Sequence, residues 1–197
     1  MENTKIPRSR GRPRRFDLED AVGVAARLFH SRGYDAVSVA DVTQALGINP
    51  PSFYSAFGSK QGLYARVLER YAVVGAIPLS DILRQDRPVA ESLATLLEEA
   101  ARHYSADAEA AGCLVVEGTR CSDAEARQAA LAYNVAVETR IRDYVAARHP
   151  ENAAVVTDFV ATTMFGLSAK ARNGHSLDQL LATSRLAASA IGLALPD

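Results

Sequence analysis

Between Asp17 and Val74 the chain carries helix starts and stops at a spacing that leaves room for little else. Asp17 can cap a first helix running to Arg32, with Ala21, Val24, Ala25, Leu28 and Phe29 as its apolar face and Gly33 as its stop. Ser38, with Asp41 three residues on, has the spacing of an N-cap and its reciprocal partner, and opens a short second helix that ends at Leu46. Gly47 supplies a turn. Asn49 followed by Pro50 pairs a cap with a first-turn proline, which launches a very short third helix through Ser52, Tyr54 and Ala56. Ser59 then caps a fourth helix reaching to about Val74.

The remainder is punctuated in the same way. Alanine- and leucine-rich stretches are broken at Pro88, Gly112, Pro150 and Gly174, and no alternating Val/Ile/Thr run with hairpin turns interrupts them. Helices are expected over 89–104, 113–120, 123–148, 152–172 and 176–193, for an all-α protein of about nine helices. With 197 residues and 48% apolar content, the chain can bury a full core. Past Pro78 the composition turns acidic and alanine-rich, which suggests a boundary there. The division expected is a basic arm (1–15), a smaller helical domain (16–75) and a larger helical domain (76–197).

Charge divides along the same line. The net charge is only -1, yet residues 1–75 hold 11 Lys/Arg against 7 Asp/Glu, and residues 76–197 hold 11 against 16. Six of the basic residues precede Phe16, among them Arg10, Arg12 and Arg14. Such a concentration suits a polyanion. Arg10-Gly11-Arg12-Pro13 is also the short sequence of peptides that lie extended in a narrow A·T minor groove, where glycine permits close approach and proline discourages helix.

A helix-turn-helix needs a short helix packed on a second one whose exposed N-terminal side enters the major groove. Residues 38–57 supply the pattern. Ala40, Val42, Ala45, Leu46, Ile48, Phe53 and Phe57 are expected to pack inward, leaving Thr43, Gln44, Pro50, Pro51, Ser52, Tyr54 and Ser55 outward. That outward set is small and hydroxyl-rich, suited more to positioning the helix than to strict base reading. Ser38 joins the candidate DNA contacts, and Lys60, at the start of the next helix, can neutralise a phosphate that the helix's amides approach.

Residues 15–71 resemble the N-terminal domain of the TetR/AcrR family of bacterial transcriptional regulators. The resemblance is carried by Phe29, Gly33 and Tyr34 at the end of the first helix, by Ser38, by Ala45 with Gly47, by Ser52-Phe53-Tyr54, by Phe57, and by Ser59-Lys60 followed by Leu63. Pro50-Pro51 and Ala56 depart from the common pattern and leave the operator sequence open. The resemblance implies a homodimer that binds a palindromic double-stranded DNA operator, usually as a repressor, and the two cysteines, in no disulfide framework, fit a reducing cytoplasm. It also implies a C-terminal domain that binds a small-molecule effector and controls the separation of two DNA-reading heads.

Within that domain, residues 152–171 are apolar on more than one face, more than a helix packing one way requires. Val156, Phe159, Val160 and Leu167, with Leu180, Ala187 and Ile191 of the last helix, are the dimer-interface candidates. Tyr71, Tyr104, Cys113, Glu117, Arg120, Tyr133, Asn134, Phe159 and Met164 are the effector-pocket candidates, since an apolar cavity with a few polar groups suits an organic ligand.

Other chemistries find little support. Cys113 and Cys121, eight positions apart, fit no CxxC pair, although Cys121 beside Arg120 leaves a thiol sensor open. His30, His103, His149 and His175 have no metal-site spacing, so a metal-responsive regulator would have to assemble its site from distant helices, and the basic arm leaves a ligand-independent architectural DNA binder as a further alternative. Phosphate-cradling glycine loops, nucleophile elbows and zinc-protease helices are absent, so neither enzyme activity nor a cofactor is expected. No apolar run is long enough for a membrane span.

Overall fold

A computed structural model describes residues 17–195, and the arm with Arg10, Arg12 and Arg14 lies outside them. Among the described residues every regular element is a helix. The first four are α1 (Leu18–Arg32), α2 (Val39–Leu46), α3 (Pro50–Phe57) and α4 (Lys60–Val74). Six more follow: α5 (Leu79–Ile82), α6 (Val89–Ser105), α7 (Leu114–Gly118), α8 (Ala124–Ala146), α9 (Ala153–Arg172) and α10 (Leu177–Ala194). The start signals act as capping chemistry dictates, because Asp17, Ser38, Asn49 and Ser59 each accept a backbone N–H of the first turn they precede. Asp123 and Ser176 do the same for α8 and α10.

Two expectations change. The single-turn α5 has no side-chain cap and carries only Leu79 and Ile82 into the core, too few residues to show a period. The expected helix over 113–120 shrinks to α7, because Thr119, Arg120 and Cys121 leave it in a chain of turn hydrogen bonds.

Two buried clusters organise the molecule. In one, α6 is sandwiched by α9 and α10, with Leu93, Leu96, Leu97 and Ala100 wholly buried among Val160, Leu167, Leu180 and Ile191. Each such leucine contributes about 1.5–3 kcal/mol of burial. The Ser184 hydroxyl, buried at the α6–α10 contact, donates within reach of the Leu97 and Leu180 carbonyls and so is not stranded. The other cluster gathers α1 to α4 around Phe29, Phe53, Leu63 and Tyr64, and it also takes in Leu114, Cys121, Ala126 and Ala130 from α7, α8 and the turn between them.

Candidate nucleic-acid interface and effector cavity

In the helix-turn-helix, α2 packs on both α1 and α3. The Ser38 hydroxyl accepts the Asp41 N–H while the Asp41 carboxylate accepts the Ser38 N–H (2.7 Å), a reciprocal capping box. Arg32 at the end of α1 reaches the same carboxylate at 3.1 Å and the Ala36 carbonyl at 2.9 Å. The Ser38 bonds and then the guanidinium hold the Asp41 carboxyl down at about 2. Gly47 takes φ +63°, the left-handed turn that closes α2 without a Cβ penalty.

From α3 the side chains of Phe53 and Phe57 plunge into the core, and Pro50, Pro51, Ser52, Tyr54 and Ser55 stand outward. Tyr54 is 52% exposed, its ring edge-on to Phe53. Gln44 and Ser38 are also exposed. Three expectations on α2 are corrected. Thr43 is buried, its hydroxyl donating to the Ala40 carbonyl one turn back (3.0 Å), so it is not free to meet a base. Ala40 and Ala45, expected inward, are exposed, because Val42 and Thr43 occupy the buried side of this two-turn helix. Lys60 is only half exposed: its ammonium sits 3.9 Å from the centroid of the Tyr34 ring, and burial lowers its basicity.

The DNA-reading unit is tied to the larger body at two places that no local pattern announces. At one, the N-terminus of α8 meets the loop after α1. Ser122 gives its N–H (2.8 Å) and hydroxyl (2.7 Å) to the Asp35 carboxylate, and Gln61 (2.7 Å) and Tyr34 (3.3 Å) donate to Asp123. The Ser122 bonds pull the Asp35 carboxyl below its ordinary 3.8, and the Ala126 N–H, followed by the Gln61 and Tyr34 bonds, lowers Asp123. Because folding lowers the pKa of both carboxyls, their stabilisation is present above about pH 4 and is lost as the pH falls further. Urea melts at pH 5 and pH 3 are therefore expected to show a steeper acid loss for the native chain than for Asp35→Asn. Equal losses would remove this tether from the account.

At the other tie, Arg172 near the end of α9 donates to the carbonyls of His30 (2.9 Å), Ala111 (3.1 Å) and Ser31 (3.4 Å), placing a cation on the C-terminus of α1. Its Nε lies 3.7 Å from Glu117, which pairs with Arg120 at 2.8 Å. His30 Nε2 is 3.1 Å from the Gly112 carbonyl oxygen, a contact that requires the nitrogen to carry its proton, while burial lowers the imidazole's basicity. Gly112 has φ +82°, and a Cβ there would meet Arg172 Cγ at 2.8 Å.

Above this junction lies a cavity with about 730 Å³ of empty space, its open mouth included. Tyr71, Tyr104, Cys113, Tyr133, Asn134 and Met164 line it, together with Val116, Ile141, Ala161 and Phe165. The Tyr71 hydroxyl donates to Cys113 Sγ at 3.6 Å, and burial pushes the phenols of Tyr71, Tyr104 and Tyr133 and the thiol upward, so all stay neutral. The other three pocket candidates lie elsewhere. Glu117 and Arg120 pair with each other beside Arg172, and Phe159 lies in a separate groove between α9 and α10. Cys121 is buried, and its thiol is pushed up by burial rather than down by Arg120.

The dimer candidates divide sharply by exposure. Val156, Val160 and Ile191 are buried in the protomer's own core, which α6 completes, while Leu167, Leu180 and Ala187, though largely buried, also line the groove between α9 and α10 that holds Phe159. Phe159 is exposed, and on the same two helices Val155 (65%), Leu186 (75%) and Leu193 (86%) are large apolar side chains left in solvent. The outer stripe was hidden in the sequence because both stripes of these helices are apolar.

Comparison with known proteins agrees with this architecture. The family model described as bacterial regulatory proteins, tetR family, matches residues 22–67. The HTH-type transcriptional repressor BdcR of Escherichia coli (strain K12) is 56% identical over 197 residues, all of both chains. The HTH-type transcriptional repressor ComR of the same strain is 28% identical over 187 residues, 89% of each. Among solved structures, a cysteine-substituted form of the TetR family regulator CifR bound to 26 bp double-stranded operator DNA superposes with a TM-score of 0.80 at 33% identity, covering 91% of this chain and 99% of that one. Full-length identity to a repressor, the matched helix-turn-helix and the shared two-part helical fold place the chain in the TetR family of bacterial transcriptional regulators.

Proposed function

We propose that the chain is a cytoplasmic, homodimeric repressor that leaves its operator when a small organic molecule fills the cavity beside Tyr71 and Cys113. The observation that carries this reading is that one helix, α4, serves both ends. Its first turn follows the recognition helix α3, and Tyr71 in its last turn lines the cavity. A ligand that pushes on Tyr71 or on the α7 segment tilts α4, and through the His30 and Arg172 contacts it moves α1 as well. Two heads whose spacing fits half-sites one helical turn apart then cease to fit. Pro50, Pro51, Ser52, Tyr54, Ser55, Gln44 and Ser38 supply the groove and phosphate contacts, and the arm with Arg10, Arg12 and Arg14 supplies a minor-groove contact. The exposed stripe of Val155, Phe159, Leu186 and Leu193 supplies the two-fold contact.

Footprinting on DNA flanking the chain's own gene, with and without a panel of small molecules, tests the proposal. A protected palindrome that one compound abolishes is the expected result; no protection even at low salt would overturn it. Thiol sensing draws no support from the two neutral, buried-side thiols, and among the described residues no group of three His, Cys, Asp or Glu side chains is placed to hold a metal.

A further inference from the structure

The cavity's polar groups are unequal. Three tyrosines, a thiol and an amide are neutral, and Glu138 is the one lining residue among the described residues that carries a formal charge. Asn134, one turn earlier on α8, donates to Glu138 Oε1 at 2.7 Å. No cation pairs with this carboxylate among the described residues. Arg172 pairs with Glu117 and the end of α1, Arg70 pairs with Glu19, and Arg66 lies over the Phe57 ring, while Arg142, one turn on along α8, is exposed and forms no ion pair with Glu138. Glu69 on α4 does not line the cavity and lies in a separate surface patch with Arg66 and Arg70.

This arrangement discriminates among ligands by charge. An anion would face Glu138 with no positive group in the lining to receive it. A neutral ligand that sealed the cavity would strip water from a carboxylate left with a single donor, which is costly. A cation converts the same burial into a paired charge, and the aromatic walls of Tyr71, Tyr104, Tyr133 and Phe165 suit its apolar body and receive part of its charge on their faces. On the premise that the cavity is the effector site, we propose that the effector is an organic cation with a compact apolar or aromatic body, its positive group held at Glu138.

The test uses the full chain and three probes of similar shape: benzyltrimethylammonium, its carbon isostere neopentylbenzene, and the anion phenylacetate. Binding is read by calorimetry on the native protein, on Glu138→Gln, and on a blocked cavity, Met164→Trp or Ala161→Phe, whichever retains a cooperative melt. The expected result is at least tenfold tighter binding of the ammonium than of its neutral isostere, a preference lost in Glu138→Gln, with phenylacetate weakest and neither of the first two binding the blocked cavity. Equal binding of ammonium and isostere, unchanged by Glu138→Gln but lost on blocking, would overturn the cationic class and leave the cavity as the effector site. Binding that survives blocking would overturn the site itself. Failure of all three probes to bind the native protein at millimolar concentration would overturn the cationic class.

Discussion

The Gly118→Ala protein is expected to melt about 2–12 °C below the native chain and to bind operator DNA more weakly, although it adds only one methyl group. A Cβ on Gly118 would lie 2.2 Å from the Tyr64 hydroxyl and 2.8 Å from the Ala130 Cβ, both far inside contact distance. Tyr64 cannot retreat, because its ring is buried edge-on against Phe29 (centroids 5.2 Å) and tilted against Tyr34 (4.8 Å). Either α7 lifts from α4 or Tyr64 is driven into the aromatic cluster that supports the recognition helix. Overpacking of this kind costs about 1–3 kcal/mol, and a domain of this size loses about 2–4 °C per kcal/mol. The Tyr64 hydroxyl is itself buried without a hydrogen-bond partner, so Tyr64→Phe alone is expected to be near neutral or stabilising. In the double variant it should recover much of the loss, a coupling that a double-mutant cycle measures directly. A Gly118→Ala protein that melts with the native one would show that α7 and α4 are not packed this closely.

Phe29→Ala is expected to be the most damaging single truncation in the DNA-reading unit. The side chain is 1% exposed, stacked on Tyr34 at 5.6 Å and perpendicular to Tyr64, so its removal opens a void at the centre of the aromatic cluster. Truncations of this type cost about 3–5 kcal/mol, enough to leave a large share of molecules with an unfolded head at 37 °C. Chemical denaturation and an operator-binding titration should fall together. A loss below about 1 kcal/mol would mean that the aromatic cluster is not what holds α1 on α4.

Both predictions sit on contacts far apart in the chain, and this explains what the sequence made legible. The four N-terminal helices could be placed from Asp17, Ser38, Asn49 and Ser59, because a cap acts within its own first turn and leaves its mark locally. The outward face of α3 was legible for a related reason: with Phe53 and Phe57 fixed inward, one turn apart, the remaining positions had only one side to take. Thr43 went astray because a threonine hydroxyl can satisfy itself on its own helix and then pack like valine. Six of nine cavity candidates came together because they were aromatic, sulfur-bearing or amide side chains in apolar stretches. Glu117 and Arg120 failed because charged residues in such a stretch can equally well meet each other. Nothing local could have revealed that Arg172 reaches His30, 142 positions away.

The buried cluster that joins Phe29, Phe53 and Tyr64 to Leu114, Ala126 and Ala130 has a consequence for protein engineering. Regulators of this kind invite recombination, with the head of one relative grafted onto the sensor of another at the junction after α4. Here such a cut would transplant four helices and leave behind the side chains that fill their hollow. A hybrid that keeps residues 17–75 needs residues 114–130 from the same parent, so the exchangeable part of this protein is two separate stretches of chain, although it reads the operator as one.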